Sequence, residues 1–201
     1  RDPVIARLVA AAGPCRIHER APGLSHFGSL CRSITYQQLA GKAAATIFGR
    51  FVAVATASGD AADLTPEGVL ACSEEAMRAA GLSAAKTRSI RALAERAAGG
   101  ELPLDDVHGI GDEELIERLS AVPGIGRWTA EMFLIFQLGR LDVWPVGDLA
   151  VRRGYGQAWG LPGMPTPKEL LAHGEAFRPY RSVAAWYCWR VTDTVIPADP
   201  S

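Results

Sequence analysis

Basic residues are not in excess in this sequence, which argues against a protein that neutralises many nucleic-acid phosphates with its side chains. The 201 residues include 21 lysines and arginines and 22 acidic residues, which gives a net charge of −1. Residues 1–59 carry seven basic and two acidic side chains, residues 60–120 carry six and thirteen, and the remainder carry eight and seven. If this protein holds a polyanion, we therefore expect it to use backbone amides and a small basic rim.

Cysteine and long apolar runs are also scarce. The four cysteines are too widely spaced for a zinc site or an iron–sulfur cluster, and isolated cysteines are typically small core residues: Cys15, Cys31, Cys72 and Cys188. No apolar run is long enough to span a membrane and no signal peptide is visible, so we expect a cytoplasmic protein without a membrane partner. Because the sequence begins at Arg1 and not at a methionine, we expect further residues to precede it in the full protein.

Alternating β-type patterns are almost absent. Residues 51–56 are β-like but continue a helical pattern, so we interpret them as helix. The other segments are rich in alanine and leucine and are interrupted by glycine and proline, which predicts an all-α protein of about ten helices. Capping residues followed by acids predict helix starts at 65–67 and 73–75, a polar interruption is expected at 33–38, and the last helix is predicted over about 179–195.

What the sequence does contain is a pair of glycines between two amphipathic helical patterns. Three acids open the first pattern, Pro123 ends it, and apolar residues at helical spacing follow Trp128. Gly124 and Gly126 allow a tight turn in which side chains do not block the backbone N–H groups. Because the second helix begins near Arg127, these N–H groups lie at a helix N-terminus, which suits a phosphate oxygen.

Neighbouring groups of this helix-hairpin-helix pattern extend the predicted contact with a phosphate. The backbone of Ile125 is part of this predicted phosphate contact, and the Thr129 hydroxyl could bind the same phosphate. The backbone carbonyls of Val122 and Ile125 could also hold a monovalent cation, Na⁺ or K⁺, that bridges to the phosphate. For the glycine pair alone a simpler interpretation stays open, in which the Pro-Gly-Ile-Gly segment only connects two helices.

A lone acid, Asp148, stands twenty residues beyond Trp128 and begins another helical pattern. A negative charge is favoured at a helix N-terminus. An ionised carboxylate close to C1′ of a nucleotide would stabilise the positive charge that develops on the sugar when an N-glycosidic bond breaks. On local sequence alone an ordinary N-cap role is the more common one. Together, the hairpin and the spaced aspartate point to an enzyme that acts on bases in DNA.

Three stretches carry a resemblance to a known family: residues 33–45, the hairpin through to 153, and residues 178–190. They resemble the helix-hairpin-helix DNA glycosylases and, among these, the alkylbase branch of 3-methyladenine DNA glycosylase II. The resemblance implies an all-α fold of two helical subdomains that flank a DNA-binding cleft. We expect one compact domain over residues 1–201, with subdomains at about 30–115 and at 1–29 plus 116–201. The implied partner is double-stranded DNA with a damaged base, bound by a monomer without a cofactor.

The resemblance also implies roles for individual residues. Asp148 matches the catalytic aspartate of the family. Trp128 occupies the position at which lyase-active relatives carry a lysine that forms a Schiff base with the sugar. Tryptophan cannot do this chemistry, so the enzyme is expected to be monofunctional, to use water, and to leave an abasic site.

A pocket for an extruded base is implied by three aromatic residues. Trp128 and Trp189 match pocket positions, and Tyr36 could cover another face. An electron-rich aromatic pocket favours the cationic purines that alkylation produces. Met132 departs from the family pattern, because some relatives carry an aromatic residue there. Core packing is the alternative for the tryptophans of the last helix, and we expect Trp186 to be the core residue.

Four further residues are assigned to DNA through the resemblance. Gln37 and Gln38 fall where the family inserts a side chain into the gap left by the extruded base, and Gln38 is the better match. Paired glutamines that cap a broken helix are the alternative. Arg181 and Ser182 are expected to contact backbone phosphates.

The leading hypothesis is a monofunctional DNA glycosylase that removes bases of the 3-methyladenine and 7-methylguanine type in base excision repair. Two other classes stay open. One is a non-catalytic DNA-binding module built on the hairpin, and the other is a glycosylase for deaminated or oxidised bases.

Overall fold

In a computed structural model, residues 2–17 and 23–193 are described, and this part of the chain contains helices and loops but no strand. The all-α prediction is therefore confirmed. The α-helices are α1 (Pro3–Ala12), α2 (His26–Tyr36), α3 (Gly41–Ala55), α4 (Pro66–Ala71), α5 (Glu74–Ala79), α6 (Ala84–Ala98), α7 (Asp112–Ser120), α8 (Arg127–Met132), α9 (Leu149–Ala158), α10 (Pro167–Gly174) and α11 (Arg181–Asp193). Short 3₁₀ turns lie at Ala61–Asp63 and Glu175–Phe177, and a π-helical turn at Phe133–Gln137 follows α8. None of the described helices combines the length and the apolarity needed to cross a bilayer.

Local sequence signals account for most helix boundaries. Thr65 and Ser73 accept hydrogen bonds from backbone N–H groups in the first turns of α4 and α5, as predicted. Of the β-like residues 51–56, the first five lie in α3 and Thr56 is its C-cap, so their interpretation as helix is confirmed up to residue 55. The polar interruption is shorter than expected, because α2 continues to Tyr36. The last helix begins at Arg181, and its predicted end at 195 lies outside the described residues.

Residues 21–133 form the first of two units into which the chain divides. In this unit α6 packs against α2, α4 and α5, and α7 packs against α8. Its core consists of fully buried apolar side chains from the helices of this unit, among them Leu30, Phe51, Met77, Leu93 and Leu115. Each helix thus buries one apolar stripe, which is what holds a helical unit of this kind together.

Residues 1–20 and 134–201 form the second unit, which is built on the contact between α9 and α11. The two backbones touch where Gly154 of α9 faces Cys188 of α11, and a Cβ at Gly154 would collide with the carbonyl of Cys188. α1 also packs on α11. Trp144 is buried in the same cluster and donates its indole N–H to the Leu170 carbonyl at 2.8 Å.

This division differs from the expected one, which placed residues 21–29 with the C-terminal helices. Residues 116–133 were also expected there. Two long-range contacts explain why they lie with residues 21–133. The Gln37 side chain donates a hydrogen bond to the Gly124 carbonyl at 2.9 Å, and Gly124 packs directly against Ser89 of α6. Neither contact has a signature in the local sequence.

Three of the four cysteines are core residues, as expected. Cys31, Cys72 and Cys188 are buried, whereas Cys15 is half-buried. Burial raises the pKa of each thiol, which keeps it protonated and unreactive at neutral pH. Over residues 2–17 and 23–193, no group of three or more histidine, cysteine or acidic side chains could hold a metal ion.

The contact between α9 and α11 can be tested with a single methyl group. Gly154→Ala should lower the free energy of unfolding by about 2–3 kcal/mol, because the methyl meets a backbone carbonyl that cannot move unless the helices separate. Gly49→Ala is the matched control, since Gly49 lies in α3 and a Cβ there meets nothing. It should raise the free energy of unfolding by about 0.5–1 kcal/mol. Urea unfolding followed by circular dichroism measures both, and equal effects would contradict the contact.

Candidate active site

Asp148 is the N-cap of α9, and its Oδ1 accepts a hydrogen bond from the Val151 N–H at 2.8 Å. The same oxygen accepts the indole N–H of Trp189 at 3.2 Å. The residue is only 7% exposed. Asp148 is therefore an N-cap, as the simpler interpretation required, and it is also fixed by an aromatic side chain of a second helix. The two N–H donors and the helix N-terminus set its position and surround it with positive partial charge.

α11 directs one tryptophan to the core and one to this carboxylate. Trp186 is buried and packs edge-on against Tyr187, with ring centroids 5.0 Å apart, so it is the core residue, as predicted. Trp189 is half-buried and lies beside Phe136, with ring centroids 5.4 Å apart. Phe136 is 42% exposed. An aromatic surface that is partly open to solvent therefore adjoins Asp148.

The close approach of α9 and α11 sets the distance between the carboxylate and the indole. Gly154 lies six residues after Asp148, and Cys188 immediately precedes Trp189, so the backbone contact of Gly154 with Cys188 fixes both groups. Burial and the negative charge of Asp148 both raise the pKa of the Cys188 thiol. Gly154 could not be recognised in the sequence, because a glycine inside a helix has no local role that would single it out.

The hairpin turn lies between α7 and α8 and is closed by two successive hydrogen bonds. The Val122 N–H donates to the Leu119 carbonyl and the Ile125 N–H to the Val122 carbonyl, each at 3.0 Å. Gly124 has φ +84°, which residues with side chains rarely adopt, whereas Gly126 is the extended N-cap of α8. Both glycines are exposed, and their N–H groups have no acceptor in the described part of the chain.

Arg127, the first residue of α8, is bound within the fold. Its guanidinium contacts both carboxylate oxygens of Glu113, at 2.6 and 2.8 Å, and its Nε binds Glu131 at 3.0 Å. Hydrogen bonding to Arg127 lowers the pKa of Glu113, and Glu131 is buried. The arginine of the hairpin therefore ties α7 to α8, and the turn presents backbone amides more than positive charge.

The turn between α2 and α3 is anchored to the hairpin and to α6. Gln37 donates its amide N–H to Gly124, whereas Gln38 is exposed and has φ +56°. Lys86 of α6 donates to the carbonyls of Thr35 and Gln37, each at 2.8 Å, and burial lowers its pKa. Lys86 could not be recognised in the sequence, because its partners lie 51 and 49 residues earlier. Of the two predicted glutamines, Gln38 is exposed, whereas Gln37 is half-buried and its side chain is bound to Gly124.

The other predicted pocket residues differ in how much surface they offer. Trp128 is 54% exposed. Tyr36 is half-buried, and the guanidinium of Arg32 lies over its ring, 4.1 Å from the centroid. Arg32 was not singled out in the sequence, although a spacing of four residues on a helix indicates contact. Thr129 and Met132 are half-buried on α8.

The structure corrects the predicted phosphate contacts of Arg181 and Ser182. Ser182 is fully buried, its hydroxyl donates to the Arg140 carbonyl at 2.7 Å, and it accepts the Val143 N–H at 2.9 Å. Arg181 binds Asp142 through Nε and Nη2, at 2.8 and 3.1 Å, and its side chain is 13% exposed. Both side chains bind α11 to the loop of residues 140–143, which precedes α9, and this leaves neither available to a phosphate.

Comparison with known proteins identifies the family. Residues 31–179 match the HhH-GPD superfamily of base excision DNA repair proteins. The chain belongs to this superfamily. One HhH-GPD relative, DNA-3-methyladenine glycosylase 1 of Schizosaccharomyces pombe, is 41% identical over 92% of this chain and 81% of its own length.

Solved HhH-GPD structures extend the likeness to nearly the whole chain. The S. pombe 3-methyladenine DNA glycosylase in complex with abasic DNA has a TM-score of 0.78 at 38% identity, over 98% of this chain and 95% of the other. A DNA-3-methyladenine glycosidase of Bacillus halodurans has a TM-score of 0.80 at 36% identity, over 96% and 91%. This chain therefore shares the HhH-GPD fold with both solved proteins over nearly its whole length.

The two hairpin glycines should tolerate alanine to very different degrees. Gly124→Ala should lower the free energy of unfolding by about 2 kcal/mol, because its φ is positive and its Cβ would collide with Ser89. Gly126→Ala is the matched control, since a Cβ there meets nothing, and should cost less than about 1 kcal/mol. Urea unfolding measures both losses. Adding Ser89→Gly to Gly124→Ala should recover only part of the loss, and losses of the same size at the two glycines would contradict this geometry.

The ion pairs of Asp142 should make part of the stability depend on pH. Burial opposes ionisation of this carboxyl, but hydrogen bonds and the charges of Arg181 and Arg178 outweigh burial and lower its pKa. The ionised group therefore stabilises the fold above its unfolded pKa of about 3.9, and this contribution is lost as the pH falls through the folded pKa. Asp142→Asn should cost about 1 kcal/mol at pH 7 and less at pH 3. Thermal unfolding at both pH values measures the difference, and a loss independent of pH would contradict the assignment.

Proposed function

We propose that this protein is a monofunctional DNA glycosylase that excises alkylated bases, of the 3-methyladenine and 7-methylguanine type, from duplex DNA in base excision repair. It belongs to the HhH-GPD superfamily, and relatives at 36–41% identity are named DNA-3-methyladenine glycosylases or glycosidases. The observation that carries the proposal is Asp148, which is the one buried aspartate among the described residues and is bound by the N-terminus of α9 and the indole of Trp189.

Asp148 is proposed to act by charge. The bond between C1′ and the base nitrogen breaks, and its electron pair leaves with the base. The sugar becomes positively charged, and an ionised carboxylate close to C1′ stabilises it. Water then adds to C1′ and loses a proton, which leaves a free base and an abasic site. A cationic alkylated base is a good leaving group, so one carboxylate suffices.

Trp128 supports hydrolysis without strand cleavage. A lyase step needs an amine that attacks the sugar, and an indole supplies none. The ring of Trp128 is largely exposed, and aromatic faces attract cationic purines. Further candidates for contact with an extruded base are Trp189, Tyr36 and Met132, although Arg32 already covers one face of Tyr36.

Duplex DNA is proposed to bind through the backbone amides of the hairpin. The exposed N–H groups of Gly124 and Gly126 suit a phosphate oxygen, with the backbone of Ile125 and the Thr129 hydroxyl beside them. Gln38 is the candidate to fill the gap that an extruded base leaves, because its side chain is exposed.

The carbonyls of Val122 and Ile125 are the proposed ligands of a Na⁺ or K⁺ ion. The Val122 carbonyl accepts one hydrogen bond, from the Ile125 N–H, and so retains a second lone pair for an ion. Backbone carbonyl oxygens of this kind suit alkali cations. A bound ion would add positive charge next to the phosphate.

A charge-removing substitution tests the catalytic role. Asp148→Asn should reduce the release of 3-methyladenine and 7-methylguanine from methylated duplex DNA by about a hundredfold or more, because an amide can cap the helix but cannot stabilise the charged sugar. Chromatography of the released bases measures this. Asp2→Asn is a closely matched control, since Asp2 caps α1 and also accepts an indole N–H, from Trp159 at 3.4 Å. Its release should equal that of the wild type.

Other outcomes separate the competing functions. Unchanged release by Asp148→Asn would contradict the catalytic assignment. No release by the wild type, with DNA binding retained, would favour a non-catalytic binding module, and release from deaminated or oxidised DNA instead would indicate another lesion class. Borohydride should trap no covalent complex, and a trapped complex would contradict the role of Trp128.

A further inference from the structure

The hairpin turn and the turn between α2 and α3 share one support. On α6, Lys86 binds the carbonyls at the end of α2, and Ser89 packs against Gly124 of the hairpin. Residues three apart lie side by side on one face of a helix. A single helix therefore holds the two turns at neighbouring points.

Gln37 joins the two turns directly. Its Nε2 donates to the Gly124 carbonyl at 2.9 Å, across 87 residues of sequence, while its own backbone carbonyl accepts Lys86. Gly124 thus has its carbonyl bound by Gln37 and its N–H exposed in the same turn. A glutamine bound in this way is not available to enter a base stack.

Gln38 follows immediately, with an exposed side chain and φ +56°. Residues with a Cβ rarely adopt this left-handed conformation, so it persists only where neighbours hold the chain in place. The neighbours here are Gln37, bound to the hairpin, and Lys86, bound to the end of α2. The conformation that presents Gln38 to solvent therefore depends on the contacts of the residue before it.

We propose that Gln37 is a positioning residue: its hydrogen bond to Gly124 couples the hairpin to the turn that presents Gln38, so that a phosphate held by the hairpin sets how Gln38 enters the duplex. The inference rests on the proposed function, because it requires DNA at the hairpin and Gln38 in the gap. It gives the adjacent glutamines different tasks, with Gln38 contacting DNA and Gln37 aligning it.

A double-mutant cycle on DNA binding tests the coupling. The quantity measured is the ratio of the Kd for an undamaged duplex to the Kd for a duplex with a tetrahydrofuran abasic-site analogue, by fluorescence anisotropy. Gln37→Met should lower this ratio about fivefold, the factor that corresponds to one ordinary hydrogen bond. Gln38→Ala should lower it at least as much. The double variant should match Gln38→Ala, because nothing is left to position.

Controls separate positioning from a general loss of structure. Gln157→Met makes the same change at an exposed site on α9 and should leave the ratio unchanged. Gln37→Asn, which keeps an amide that cannot reach Gly124, replaces Gln37→Met if that variant does not fold. The Kd for the undamaged duplex should stay within about twofold of the wild type, because the hairpin amides remain.

Several results would overturn the positioning role. The first is a Kd ratio for the Gln37 variant that equals that of the wild type. The second is an equal weakening of binding to both duplexes. The third is a double variant in which the losses of the two single variants multiply. The ratio of Kd values is measured without base release. If the protein shows the expected double-mutant cycle but releases no base, only the proposed enzymatic function is contradicted. A wild type without any preference for the abasic duplex would overturn both.

Discussion

The candidate catalytic aspartate depends on the backbone contact between α9 and α11. Gly154 has no side chain to separate the two helices, so the start of α9 lies within hydrogen-bond distance of α11. The indole of Trp189 then reaches Oδ1 of Asp148 at 3.2 Å. Gly154 has no chemical function of its own and lies six residues after Asp148, yet it determines which groups surround the Asp148 carboxylate. The tight packing of protein interiors makes such a position sensitive to a single methyl group.

In the unit of residues 21–133, polar contacts fix the position of the hairpin turn, as the contact between α9 and α11 fixes that of Asp148. If the hairpin binds phosphate as proposed, its amides must stay exposed, so its support has to come from its carbonyls and from the flanking helices. Gln37 supplies the first kind of support at the Gly124 carbonyl, and Arg127 supplies the second by joining α8 to α7. Ser89 completes the arrangement, because Gly124 fits against it without a Cβ.

Those features that are encoded within a few residues could be predicted from the sequence. The caps at Thr65 and Ser73, the hairpin turn and the N-cap at Asp148 all depend on local spacing, which helix geometry converts directly into structure. The roles of Arg181 and Ser182 could not be predicted, because their partners lie about forty residues away. A serine and an arginine at the start of a helix suit a phosphate equally well, and only the folded chain shows that carbonyls and a carboxylate bind them instead.

The same contacts explain how a protein without net positive charge can be suited to DNA. Arg127 and Arg181 are bound by carboxylates within the fold, so they contribute little to the release of counterions from DNA, which scales with the phosphates that cations neutralise. That electrostatic term is the same for every duplex. Contacts made only when a base is extruded, such as those proposed for Gln38 and Trp128, differ between damaged and intact DNA. A small electrostatic term leaves a larger share of the binding free energy to these contacts, which favours discrimination over affinity.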